Sequence, residues 1–415
     1  MIFLDANVIY EAMRKTIKSS DKDKYSTQLY QVNQLLYTAM LQEALSNGTY
    51  KPELGKKFIL SERGKTRLVT NNAMADKVVN HIICDEILTP AINKFLIHDN
   101  GASQKGKGVS FHRRRFEKHL RDYYKEYGTN EGYILLGDFS GYYANIRHDK
   151  CSKVLAHFFK RSELPVEDLR KAWNILTEIF QIFRLDVSRF SDEEIRAMYT
   201  QKVDTMMNIG VDKNLLTGEK FLNKGVDIGN QTSQNIGSAF PYKFDNYAKI
   251  VAGIKGYGRY TDDFYAIAPD KETLIKLLDN LKIIAKEYGI IINERKTRIV
   301  KLSGFYRHLQ NGYSLTETGR LICKINPKSV TRERRKLKAY KRLLDAERIT
   351  YDETENIFKG WICGNYRRMS HRQIFNMSEL YFNLFGRRPK WKKHSRLRWL
   401  TEHSSPNWDS AETTS

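Results

Sequence analysis

An Asp-Asp pair is the feature of this sequence best suited to catalysis. Asp262 and Asp263 stand inside 256–268 (GYGRYTDDFYAIA), two β-rich runs that predict a hairpin with both acids at its tip. A third acid, Asp138, ends the apolar run in 132–139 (GYILLGDF), which predicts a buried strand with a functional end. Alone, an Asp-Asp pair at a turn is more often turn chemistry, but its combination with Asp138 favours a functional site.

Carboxylates gathered in this way suit a pair of magnesium ions. Acids that converge without cations repel one another, and Mg²⁺ prefers carboxylate ligands together with several waters. Joining nucleotides is an in-line displacement at phosphorus in which charge develops on the attacking and the leaving oxygen. Two Mg²⁺ ions about 4 Å apart stabilise both oxygens. The three acids therefore predict two Mg²⁺ ions as cofactors of a phosphoryl-transfer site.

Two motifs resemble those of reverse transcriptases. YTDD (260–263) resembles the family's Tyr-x-Asp-Asp box, and DFSGYYANI (138–146) resembles its first catalytic motif, in which an aromatic follows the leading acid by five residues. That aromatic is Tyr143, and the resemblance implies that it is a steric gate against the ribose 2′-hydroxyl. The resemblance implies the catalytic residues Asp138, Asp262 and Asp263, and the metal ligands Asp138, Phe139, Asp262 and Asp263.

Further motifs imply a nucleotide-binding site. RGKTR (63–67) matches the family's triphosphate-gripping residues, and two cations there suit an anionic group. GVDIGNQTSQ (225–234) resembles the segment between the aspartate motifs, and INERKT (292–297) the next motif, whose lysine lies near the triphosphate. Many relatives carry Gly-Ile-Pro or Gly-Leu-Pro where this chain has an acid, Asp227, which the motif does not explain. The nucleotide-binding residues implied are Lys65, Arg67, Tyr143, Gly229, Gln234 and Lys296.

The charge of the chain favours a nucleic acid as partner. Its 70 Lys and Arg against 48 Asp and Glu give a net charge of +22, which favours a polyanion. The run 324–342 holds nine basic residues and one acid on a predicted helix, as a thumb along a template–primer duplex would. SGFYRHL (303–309) lies where the family places its primer grip. The predicted nucleic-acid-binding residues are Lys105, Lys107, Phe305, Tyr306, Arg332, Arg334, Arg335, Lys336 and Lys338.

Hydrophobic periodicity predicts a mixed α+β chain. The resemblance implies a right-hand polymerase fold, with fingers and a palm of antiparallel sheet backed by helices, and a helical thumb. Helices are predicted at 27–47, 73–95, 111–126, 232–251 and 271–288, a mostly helical stretch at 149–210 and helices again from 329. Strands are predicted in 56–71 around Gly64, at 132–139, 256–268, 290–292 and 298–302.

The predicted domain organisation follows these elements. It comprises an N-terminal helical segment (1–54), fingers (55–130), a palm (131–303) with a helical insertion near 150–222, a primer grip with a basic helical thumb (304–386), and a polar tail (387–415).

Composition also bears on location. No run approaches the roughly eighteen apolar residues of a membrane span, and the N-terminus lacks a basic start followed by an apolar stretch. The four cysteines are far apart and form no Cys-x-x-Cys pair, as in reduced thiols. A cytoplasmic protein without a membrane partner is therefore predicted.

The resemblance implies an RNA-directed DNA polymerase that uses dNTPs and a DNA or RNA primer to copy an RNA template into cDNA. An RNA-dependent RNA polymerase is the first alternative, against which Tyr143 and Tyr260 argue. An RNA-binding maturase or scaffold is the second, although all three acids are present. The biological role favoured is antiviral defence by a stand-alone bacterial or phage enzyme with a dedicated structured non-coding RNA. The Ser-Gln ending at 233–234 also resembles diversity-generating retroelement enzymes, and that alternative stays open.

Overall fold

The computed structural model describes residues 2–62, 64–391 and 397. The chain divides into two compact units. One comprises residues up to Tyr127 together with Gly132–Lys301, and the other comprises Gly128–Glu131 together with the chain from Leu302 onward. In the described part of the chain, no helix is long and apolar enough to cross a membrane.

The first unit begins with helices. Asp5 caps α1 (Ala6–Ser19) by accepting a hydrogen bond from the Asn7 amide. The single helix predicted at 27–47 is instead two, α2 (Tyr25–Val32) and α3 (Gln34–Ser46). The break falls at Asn33, whose backbone leaves helical geometry while its side-chain amide bonds the Leu29 carbonyl. An Asn side chain can hydrogen-bond a main-chain carbonyl in this way and so interrupt a helix. The spacing of apolar residues does not predict such a break.

A two-stranded hairpin follows, as predicted. Strands β1 (Lys56–Glu62) and β2 (Lys65–Asn71) pair antiparallel around Gly64. The helical stretch predicted at 73–95 is confirmed as a run with one π-helical turn, and the basic helix is also present. Its elements are α4 (Met74–Ile82), the π turn (Ile83–Leu88), α5 (Thr89–Asn93) and, after a loop, α6 (Val109–Tyr127).

The predicted helical insertion is only partly helical. After β3 (Tyr133–Asp138), helices α7 (His148–Lys160) and α8 (Val166–Phe183) form as expected. The chain then pairs β4 (Leu185–Asp186) with β5 (Phe221–Leu222), and most of the intervening residues lie outside helices and strands, beside a small apolar cluster of their own. Within it, α9 (Asp192–Met198) begins with a capping box at Ser191, which confirms the acidic cluster there as a helix start.

The next predicted helix, 232–251, is interrupted at Pro241, which separates α10 (Gln231–Ala239) from α11 (Tyr242–Asn246) and a π turn (Tyr247–Val251). Proline removes a backbone donor and so ends the helix before it.

A four-stranded antiparallel sheet is the centre of this unit. Its order is β6–β7–β3–β8, with β6 at Gly256–Tyr260, β7 at Asp263–Ala268 and β8 at Arg298–Lys301. Strands β3 and β7 are almost wholly buried, as their apolar sequences predict, and α12 (Lys271–Tyr288) packs against both. The strand predicted at 290–292 is wrong: Ile292 makes only an isolated bridge to Phe139.

In its described residues, the second unit joins a small sheet to three α-helices. Strands β9 (Tyr306–His308), β10 (Asn311–Leu315) and β11 (Leu321–Ile325) pair antiparallel, and β11 was not predicted. The helices predicted from 329 are confirmed as α13 (Pro327–Asp345), α14 (Tyr351–Asn365) and α15 (His371–Phe385). Of the polar tail predicted at 387–415, all but 387–391 and 397 lies outside the described residues.

Candidate active site

The three aspartates meet at one end of the central sheet. Asp138, the last residue of β3, is the direct cross-strand partner of Asp263, the first residue of β7. Asp262 lies in the two-residue turn between β6 and β7, and its carbonyl accepts a 3.0 Å hydrogen bond from the Phe139 amide. Acids 124 or more residues apart in sequence thus become neighbours because β3 and β7 are paired in this register.

The turn that carries Asp262 has a backbone conformation that L residues rarely adopt. Thr261 has a φ of 56°, and a non-glycine residue there is strained. The Arg259 guanidinium donates a 2.6 Å hydrogen bond to the Thr261 carbonyl and thereby holds the turn. Arg259 and Asp245 are fully buried and joined at 2.8 Å, and Tyr257 also donates to Asp245. Sequence reasoning missed this pair; its only signal is a lone arginine between buried positions of a strand.

Charge repulsion marks the carboxylates as a cation site. Burial, followed by the charge of Asp138, raises the pKa of Asp262. Burial and then the charges of Asp262 and Asp138 raise the pKa of Asp263 to about 7. Lys296 opposes both shifts and donates a 2.8 Å hydrogen bond to the Asp138 carboxylate, where the Asn293 amide also donates at 3.1 Å. Buried acids that raise one another's pKa are stabilised by added positive charge.

The carboxylate set fits a divalent cation by its chemistry. Hard oxygen ligands with unneutralised negative charge are what Mg²⁺ takes in proteins. The three acids are neighbours, but among the residues that the structure describes no three His, Cys, Asp or Glu side chains are already arranged so that they could hold a metal ion. The Phe139 ring is buried against Tyr142 and Phe264, so any metal contact of Phe139 would be made by its main-chain carbonyl.

The repulsion also predicts a pH dependence of stability. In the metal-free protein, the Asp263 carboxyl holds its proton more tightly when folded (pKa about 7) than when unfolded (3.8). The stability that this bound proton contributes is fully present below the pKa of Asp263 in the unfolded state. It is lost as the pH rises through the pKa of Asp263 in the folded state. We expect Asp263→Asn to melt higher than the unsubstituted protein at pH 8, with the gap opening between about pH 4 and pH 7. Differential scanning calorimetry in EDTA measures it.

A matched change elsewhere serves as the control for this prediction. Asp279 on α12 is exposed, and Asp279→Asn should give no pH-dependent gap. A gap of equal size for Asp263→Asn at pH 4 and pH 8 would show that the carboxylate is not under electrostatic strain.

The predicted gate, Tyr143, lies between the carboxylates and α10. Burial raises the pKa of its hydroxyl to about 12, and the charge of Asp262 contributes to that rise. On its other side the ring rests on Gly237, where an added Cβ would come within 2.8 Å of the Tyr143 Cε1 atom. Tyr142 donates a 2.7 Å hydrogen bond to the Gly237 carbonyl. Gly237 was not identified from sequence, because nothing local marks a contact with a residue 94 positions earlier.

The predicted triphosphate cations lie on β2. Lys65 is exposed at the hairpin turn and Arg67 is half-buried. The charge of Lys65, like that of Lys296, opposes the rise in the pKa of Asp262 and Asp263 that burial and the neighbouring carboxylates cause. Lys65 and Lys296 therefore contribute positive charge to one site.

The 225–234 segment packs against β2 and lines a cavity. Gly229, with a φ of 106°, was expected to let the backbone approach the nucleotide, but a Cβ there would lie 2.7 Å from the Thr70 carbonyl. The glycine thus allows close packing against β2, and the approach of its backbone to the nucleotide stays a prediction. Gln234 is exposed and lines a cavity of about 700 Å³ between the first helices, the hairpin and this segment.

The predicted nucleic-acid contacts differ in accessibility. Lys105 is exposed, whereas Lys107 is half-buried and its ammonium donates to the carbonyls of His98 and Asn100. Phe305 is 60% exposed but Tyr306 is 1% exposed, so a direct contact of Tyr306 with a primer is wrong for this structure. Phe305 directly precedes β9, and Tyr306, the first residue of that strand, faces inward.

The basic helix α13 presents most of its charges to solvent. Its inner face carries Glu333 and Leu337, both buried, and Arg332 is half-buried beside Ser329. The exposed basic residues predicted to bind nucleic acid are Arg334, Arg335, Lys336 and Lys338.

An antiparallel sheet with three acids at one end, approached by a basic hairpin, defines a polymerase palm of the right-hand fold. The sequence model described as "Reverse transcriptase (RNA-dependent DNA polymerase)" matches residues 51–330, which is 280 of the 415 residues. The chain belongs to the reverse transcriptase family.

Solved structures with similar folds include telomerases at low identity. The apo telomerase of Candida tropicalis is 13% identical with a TM-score of 0.46, over 80% of this chain and 62% of that one. A Candida albicans telomerase in complex with a fragment of telomeric RNA is 12% identical with a TM-score of 0.42, over 81% and 60%. This chain therefore spans about three fifths of those telomerases. No curated protein sequence matches it significantly.

Proposed function

We propose that this protein is an RNA-directed DNA polymerase that extends a DNA or RNA primer with dNTPs on an RNA template. The observation that carries the proposal is the meeting of Asp138, Asp262 and Asp263 at one sheet end, where burial and then the charge of neighbouring carboxylates raise the pKa values of Asp262 and Asp263. The membership of residues 51–330 in the reverse transcriptase family supports it.

Each residue of the site has a proposed task. Asp138, Asp262, Asp263 and the Phe139 carbonyl would hold two Mg²⁺ ions, which supply charge stabilisation to the attacking and leaving oxygens. Lys65 and Arg67 bind the triphosphate, and Gln234 lies beside the nascent pair. Lys296 fixes the Asp138 carboxylate and, at the triphosphate, donates a proton toward the pyrophosphate. Tyr143 fills the space that a ribose 2′-hydroxyl would occupy.

A primer-extension assay tests this function. An RNA template with an annealed DNA primer is incubated with Mg²⁺ and either dNTPs or rNTPs, and extension with dNTPs alone is expected. Extension with rNTPs would instead identify an RNA-dependent RNA polymerase. RNA binding without any extension would identify a scaffold or maturase.

The contact between Gly237 and Tyr143 predicts a defect in nucleotide use. In Gly237→Ala the new methyl would overlap the Tyr143 ring and push it into the space proposed for the sugar. Overpacking of this kind costs about 1–3 kcal/mol, so we expect kcat/KM for dNTPs to fall roughly 10-fold. Steady-state primer extension measures it.

Gly360→Ala is the matched control for Gly237→Ala. Gly360 is also helical, in α14, but an added Cβ there has open space around it. This variant should keep its kinetics and gain stability from the better helix former. Equal kinetics for the two variants would rule out the proposed contact with the sugar site.

We further propose that the enzyme serves antiviral defence in the cytoplasm of a bacterium, or in a phage, with a dedicated structured non-coding RNA. The exposed cations of α13 and the net charge of +22 support an RNA partner. Sequencing of the RNA and cDNA that copurify with the protein tests this role. A cDNA that matches one short RNA is expected, and adenine-targeted changes in it would indicate a diversity-generating element.

A further inference from the structure

Asp227, which departs from the family motif, is hydrogen-bonded to the root of the β1–β2 hairpin, the end opposite its turn. Its carboxylate accepts a 2.6 Å hydrogen bond from the Thr70 hydroxyl and lies 4.0 Å from the Lys57 ammonium. Lys57 and Thr70 are direct cross-strand partners in β1 and β2. One acid therefore contacts both strands at a single register position.

Main-chain contacts reinforce the same junction. The Thr70 amide donates a 2.9 Å hydrogen bond to the Ile228 carbonyl, and Ile228 forms a parallel bridge with Val69. The next residue, Gly229, has no room for a side chain because the Thr70 carbonyl lies against it. Residues 227–229 thus run alongside β2 and join it through a single parallel bridge.

The structure holds the hairpin at this root. Every residue of β1 is exposed, whereas Thr70 near the end of β2 is 5% exposed. Lys65 stands five residues from Thr70 on the same strand, so a change of angle at the root displaces the Lys65 ammonium by several ångströms.

We propose that Asp227 is a positioning residue that sets the angle of the β1–β2 hairpin and so holds Lys65 and Arg67 where they meet the triphosphate. This inference rests on the proposed polymerase function. A hydrogen bond to a carboxylate is stronger than one between neutral groups, and Thr70 is shielded from water. Without this hydrogen bond, only a fraction of the molecules keeps the hairpin at the angle that binds dNTP, and the apparent affinity for dNTP falls to that fraction of its original value.

The test separates positioning from chemistry and from folding. Asp227→Ala and Thr70→Val should each raise KM for dNTP about 10-fold, with kcat changed less than about twofold. Thr70→Ser, which keeps the hydroxyl, should restore KM. The Asp227→Ala/Thr70→Val double variant should be no worse than Asp227→Ala alone, because Thr70→Val removes a hydrogen bond that Asp227→Ala has already removed. In a Lys65→Ala background, Asp227→Ala should raise KM for dNTP little further.

Thr177→Val, on the exposed side of α8, is the matched control and should leave KM and kcat unchanged.

A readout independent of catalysis distinguishes this inference from the proposed function. Hydrogen–deuterium exchange of the full chain should show faster exchange of amides 68–71 in Asp227→Ala and Thr70→Val. If the unsubstituted protein makes no DNA, the polymerase proposal fails, while the exchange result still decides whether the junction holds the hairpin. Unchanged exchange, a fall in kcat at constant KM, or additive effects of the two substitutions would each overturn the positioning role.

Discussion

Asp262→Asn is expected to lower the rate of DNA synthesis by roughly 1,000-fold or more while leaving RNA affinity within a few-fold. Asparagine keeps the size of the side chain but removes the charge, and metal ions contribute several kcal/mol of transition-state stabilisation at such sites. Each 1.36 kcal/mol corresponds to a factor of ten in rate. Primer extension under single-turnover conditions measures the loss, and filter binding of the template–primer measures the affinity.

The Asp262→Asn variant should remain folded. The pKa of Asp262 is raised by burial and by Asp138, so removal of its charge relieves repulsion and the melting temperature should not fall in EDTA. Asp192→Asn, at an exposed acid in the first turn of α9, is the matched control and should retain full activity. Synthesis within tenfold of the unsubstituted rate in Asp262→Asn would contradict the proposed metal site.

Arg259→Met is expected to have the largest effect on stability. It leaves the Asp245 carboxylate buried without its cation, and breaking a buried pair costs about 3–5 kcal/mol. It also removes the donor to the Thr261 carbonyl, so the turn that carries Asp262 loses its support and activity should fall with stability. Urea unfolding followed by circular dichroism gives the free energy of unfolding.

The double variant Arg259→Met/Asp245→Leu separates the two roles of this pair. Replacing both charges removes the unpaired acid, so stability should recover in large part. DNA synthesis should stay low because the Thr261 carbonyl still lacks its donor. Arg170→Met, which breaks an exposed pair with Glu167 one helical turn away, should leave the unfolding transition unchanged. An Arg259→Met protein as stable as this control would show that the buried pair is dispensable.

The sequence by itself determined the chemistry and most of the elements. Alternating and apolar runs predicted the hairpin at 56–71 and the strands that carry Asp138, Asp262 and Asp263, because side-chain periodicity is a local property of the backbone. The motif residues around them indicated the reverse transcriptase family, which the match over 51–330 confirms. The strand at 290–292 was wrong because a short apolar run packs equally well without pairing.

Only the tertiary structure decided how these elements are held together. Arg259 with Asp245, Gly237 under Tyr143, and Asp227 on Thr70 join residues from 14 to 157 positions apart, and local periodicity carries no signal for such contacts. The inward orientation of the Tyr306 ring was likewise decided by strand register, since a shift of one residue would exchange the inward and outward faces of the strand. The three aspartates were visible as candidates in the sequence, but their mutual repulsion exists only because β3 and β7 bring them to one buried end of the sheet.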